Sequence, residues 1–71
     1  MRWYTPYWEQ LKTNGVLELD LPPTEHNRLV RAIRKESYRD KALRLRCTVS
    51  IEVYRNRRLL KFTLTTHEIL S

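Results

Sequence analysis

A chain of 71 residues, 41% hydrophobic and 31% charged, has material for one small domain spanning residues 1–71, and a domain of this size buries only about 60% of the surface its unfolded chain exposes. No apolar run approaches the roughly 20 residues of a spanning helix, and the aromatic, polar N-terminus lacks a signal-peptide apolar region. The single cysteine, Cys47, excludes a disulfide framework and a cysteine metal cluster, fits a cytoplasmic or otherwise reducing setting, and reads as a small core residue.

The first segment, MRWYTPYWEQLKTN, carries both tryptophans and two of the four tyrosines. Thr5-Pro6 suits a helix start and Asn14-Gly15 a stop, which predicts a short helix over about residues 5–13. Its Trp8 and Leu11 are expected to cover the sheet. The exposed-platform alternative, aromatics that stack nucleobases, is disfavoured because only Arg2 and Lys12 lie nearby in sequence.

Residues 16–21 alternate Leu17, Leu19 and Leu21 with Glu18 and Asp20, the pattern of a half-buried strand. Pro22-Pro23 ends the strand and opens a helix over 23–37, since proline cannot donate to a ladder but suits a first helical turn. His26, Leu29, Val30 and Ile33 form its apolar stripe, and Arg28, Arg31, Arg34 and Lys35 point away.

Two alternating runs then predict a β-hairpin, with strands over 43–54 and 59–66. Leu43, Leu45, Cys47, Val49, Ile51 and Val53 are inward in the first arm, and Leu60, Phe62 and Leu64 in the second. A turn centred on Asn56-Arg57, or a loop from Arg55 to Arg58 in the same register, would place Val53 opposite Leu60, Ile51 opposite Phe62 and Glu52 opposite Lys61. The expected fold is α+β, in the order α-β-α-β-β. Its three-stranded sheet is antiparallel, with the first strand beside the second hairpin arm and the longer helix on one face.

The net charge of +6 is unevenly spread. Between Arg28 and Lys61 there are twelve bases, most of them Arg, and three acids; the flanking segments are mildly acidic. Such asymmetry points to an anionic partner. A sheet-plus-turn set of Arg44, Arg46, Arg55, Arg57, Arg58 and Lys61 is the first candidate, because a β-ribbon flanked by Thr48, Ser50, Thr63 and Thr65 can present bases and hydroxyls to phosphates. The helix set of Arg28, Arg31, Arg34 and Lys35 is a secondary patch.

Catalytic patterns are scarce. There is no Gly-rich phosphate loop, no HExxH and no Cys/His zinc spacing, and no cofactor or metal is expected. His26 reads as a satisfied, half-buried side chain, and His67 as a contact residue facing Arg46. The sequence therefore points to a non-enzymatic binding domain whose partner is nucleic acid, held through phosphate contacts. The alternative is a protein-binding module, such as a small phage-type inhibitor or accessory subunit docking on an acidic or nucleic-acid-processing protein. There Trp3, Tyr4, Tyr7 and Tyr54 would be exposed anchors. An open strand edge could also form a homodimer.

Overall fold

The computed structural model describes residues 2–69. The order is α1 (Thr5–Asn14), β1 (Val16–Asp20), α2 (Pro23–Arg39), α3 (Lys41–Arg46), β2 (Cys47–Asn56) and β3 (Leu59–Glu68). The strands form one antiparallel sheet in the order β1-β3-β2, so β1 does join the second hairpin arm.

Helix α1 ends where Gly15 turns to φ 76, a conformation that costs glycine little. The Gly15 N–H donates to the Leu11 carbonyl (2.8 Å), and the Leu64 N–H donates to the Gly15 carbonyl (2.8 Å). The helix stop is thus tied directly to the central strand. Helix α2 starts at Pro23 and buries His26, Leu29, Ala32, Ile33 and Ser37. His26 Nε2 pairs with the Leu21 carbonyl at 2.8 Å, so the histidine is satisfied where it is buried. The core gathers Trp8 and Leu11 of α1, Leu17 of β1, Leu29 and Ile33 of α2, and Leu60 and Phe62 of β3. Cys47 is buried, as its place on the inward face predicted.

Residues 41–46 depart from the sequence-based expectation. They form a helical turn, and the strand expected from residue 43 begins only at Cys47. Lys, Ala, Leu and Arg, which compose KALRLR, are the strongest helix formers, whereas β-branched residues begin at Thr48. Asp40 starts the turn, its Oδ1 accepting the Leu43 N–H at 3.1 Å. Leu43 still packs against the core, but Leu45 is 81% exposed instead of inward.

The hairpin register is also shifted from the expected one. Val53 faces Phe62, Ile51 faces Leu64, and Asn56 faces Leu59 across a two-residue turn at Arg57-Arg58. Glu52 therefore meets Thr63, while Lys61 lies between Tyr54 and Glu18; His67 faces Thr48 and not Arg46. A shift by two residues leaves every side chain on the same face, so the apolar pattern alone could not distinguish the two pairings. Contacts from outside the hairpin accompany the observed one. The Leu21 N–H donates to the Arg58 carbonyl (2.8 Å), Arg58 Nε donates to Asp20 (2.7 Å), and Arg55 donates to Asn27 Oδ1 (2.6 Å).

Candidate anionic-ligand cleft

Helix geometry groups the bases of α2. Arg28, Arg31, Lys35 and Arg39 recur at three- and four-residue steps and so share one side of the helix. The N-terminal segment lies alongside. Together Arg2, Trp3, Tyr4, Arg28, Arg31, Ala32, Lys35 and Arg39 line a concavity of about 260 Å³. Five of these eight residues are cationic and none is a carboxylate, so an anion entering there meets only attraction from its lining.

The segment is fastened by Tyr4, which is buried and therefore is not the exposed anchor the sequence suggested. Its hydroxyl accepts from Arg2 (2.7 Å) and Arg39 (3.4 Å), joining the chain start to the end of α2. The bond to Tyr4, with help from the Glu36 carboxylate, pushes the Arg2 guanidinium above its already high ordinary value. Trp3 meets Tyr4 edge-on, with ring centroids 5.4 Å apart at 88°. The Arg28 guanidinium lies over the Trp3 ring at 4.5 Å, and 48% of Trp3 stays accessible. Glu25 reaches Arg28 only at 3.9 Å, between two exposed side chains, too loosely to withdraw it.

The sheet-plus-turn set is not brought together on one sheet face. Arg44 and Arg46 sit on α3, a correction that follows from its helical turn. Arg44 donates to the Ser37 carbonyl (2.7 Å) and stacks over Tyr38 (4.4 Å). Arg34 shares that second concavity, of about 260 Å³, with Arg44 and Tyr38, away from the other α2 bases. Arg55 is bonded to Asn27, and Arg58 to Asp20. Lys61 lies 3.7 Å from Glu18 on the open sheet face, which also carries Glu52 and, at its end, Asp20. Acids outnumber bases on that face. Arg46 and Arg57 pair with no carboxylate among the described residues.

Of the remaining aromatics, Tyr54 is 54% exposed on the open face, and Tyr7 is half-buried against the core. Arg2 and Arg39 were not singled out from the sequence. The signal for Arg39 was available, since it continues the α2 stripe at Arg28, Arg31 and Lys35. That for Arg2 was not, because only the docking of residues 2–4 brings it there.

Among the described residues no three His, Cys, Asp or Glu side chains converge on a metal-sized site, and no helix is long and apolar enough to cross a membrane. No protein-family model, curated protein or solved structure matches the chain.

Proposed function

We propose that the protein is a small non-enzymatic domain that binds nucleic acid through phosphate contacts, centred on the α2 cleft. The observation that supports this most is the lining itself: five cations around one concavity, with no carboxylate among them. Guanidinium groups give forked contacts to phosphate oxygens, and four of the five cations are Arg. Arg46 at the end of α3 and Arg57 in the hairpin turn, both solvent-facing, are secondary contributors, reached by a longer strand. A cytoplasmic, reducing setting accords with the free, buried Cys47.

Neutralising about five phosphates on duplex DNA gives a log–log salt dependence with a slope of about −4.5. The test is binding measured across a salt series, for the parent protein and for a variant with Arg31, Lys35 and Arg39 changed to Glu. The expected result is the steep slope in the parent and its loss in the variant. Absence of binding at low salt would reject the proposal.

A second reading, docking on another protein, draws on the opposite side. There the open sheet face exposes Val16, Tyr54 and Leu59 beside Glu18 and Glu52. One aromatic anchor with two aliphatic neighbours within an acidic rim suits a protein partner better than a polyanion. That reading predicts a stoichiometric complex that persists at high salt and is lost on Tyr54→Ala. A homodimer through the outer edge of β2 is the remaining option, and light scattering reads it directly.

A further inference from the structure

We infer that the cleft is built for single-stranded nucleic acid, with one base stacked on Trp3. This rests on the nucleic-acid reading above and adds to it the class of strand. Phosphate contacts alone do not require an aromatic ring, yet Trp3 sits half-exposed amid the cations with Arg28 over it. In a duplex the bases are stacked on one another and their faces are withdrawn. A single strand offers those faces, and stacking on an aromatic plane is the sequence-tolerant way to hold them.

The residue next to the platform is anchored. Trp3 meets Tyr4 edge-on, Tyr4 is buried, and the Tyr4 hydroxyl takes hydrogen bonds from Arg2 and Arg39. A ring already in contact with Arg28 and Tyr4 has less freedom to lose when a base settles on it. The cations also suit one strand. Arg31, Lys35 and Arg39 climb one side of α2 in steps of about 6 Å, comparable to the separation of successive phosphates in an extended single strand. They form one row, matching a single backbone and not the two that border a duplex groove.

The two tryptophans make the test specific, because Trp8 is 2% exposed and Trp3 is 48% exposed. Titration with oligothymidylate should quench the Trp3 emission and leave that of Trp8. Oligothymidylate should bind at least about tenfold more tightly than a duplex of equal length. Trp3→Ala should weaken oligothymidylate binding by about 10- to 100-fold and duplex binding by much less. Trp3→Tyr, which keeps a stacking face, should restore most of the loss and controls for any effect of the alanine on folding. Equal affinity for duplex and single strand, with Trp3→Ala silent, would overturn this inference while phosphate binding stood. Failure of both probes to bind at low salt would overturn both.

Discussion

The guanidinium of Arg28 lies 4.5 Å over the ring of Trp3, joining the chain start to the middle of α2. Both side chains are largely solvent-exposed, so the contact contributes little to stability, about 0.5–1 kcal/mol. Arg28→Ala should therefore leave the denaturation midpoint nearly unchanged. It should shift the Trp3 emission to the red as the ring loses its cover, with the buried Trp8 unaffected. Fluorescence during chemical denaturation reads both.

Asp40 carries more of the fold. Its Oδ2 accepts from the Trp8 indole (3.3 Å) and from Lys12 (3.1 Å), while Oδ1 caps α3. Partial burial opposes its charge, but the Leu43 amide, Lys12 and the Trp8 indole outweigh that, and the carboxyl titrates below its usual range. Asp40→Ala should cost about 2–3 kcal/mol, because it removes a cap and leaves the indole N–H without its acceptor. A depressed folded value means that the stabilisation is complete above the unfolded value, about pH 3.9, and is lost as pH falls from there through the folded value. Thermal melts of the parent should decline over that acid window, and those of the variant should decline less.

The turn holds Arg57 at φ 51, a left-handed conformation that glycine adopts without steric cost. Arg57→Gly should stabilise the hairpin by up to about 1 kcal/mol, raising the melting midpoint by roughly 4–8 °C per kcal/mol in a domain of this size. Nucleic-acid affinity should fall only slightly, as expected of a secondary contact.

Leu45 distinguishes the helical turn from a longer strand, with the buried Phe62 as the comparison. Leu45→Lys should change stability by less than about 0.5 kcal/mol, as expected of a surface site. Phe62→Ala should cost about 3–5 kcal/mol and leave little folded protein. A large loss at Leu45 would favour the strand.

Where local pattern decided structure, the sequence was legible. Leu17 and Leu19, the inward Ile51 and Val53, and the α2 stripe around Ile33 all lie on the faces that their periodicity indicated. The errors arose where two solutions shared a pattern. Leu-Arg alternation at residues 43–46 fits a strand by period but a helix by propensity, and the Asp40 cap favours the helix. The hairpin register kept its parity under a two-residue shift, and the observed pairing comes with contacts to Asp20, Leu21 and Asn27 outside the hairpin. The cleft was half legible. The bases of α2 were visible as a set, but the meeting of Arg2 and Trp3 with them depends on the docking of Tyr4, a tertiary event with no local signature.

The central claim is that the cleft along α2, more than the hairpin, meets the polyanion. The decisive measurement compares two charge reversals against one oligonucleotide across a salt series: Arg31, Lys35 and Arg39 to Glu on the helix, and Arg55, Arg57 and Arg58 to Glu on the hairpin. The helix variant should abolish binding and flatten the salt slope, while the hairpin variant should lose only part of its affinity. Full affinity in the helix variant, with loss confined to the hairpin variant, would contradict that claim.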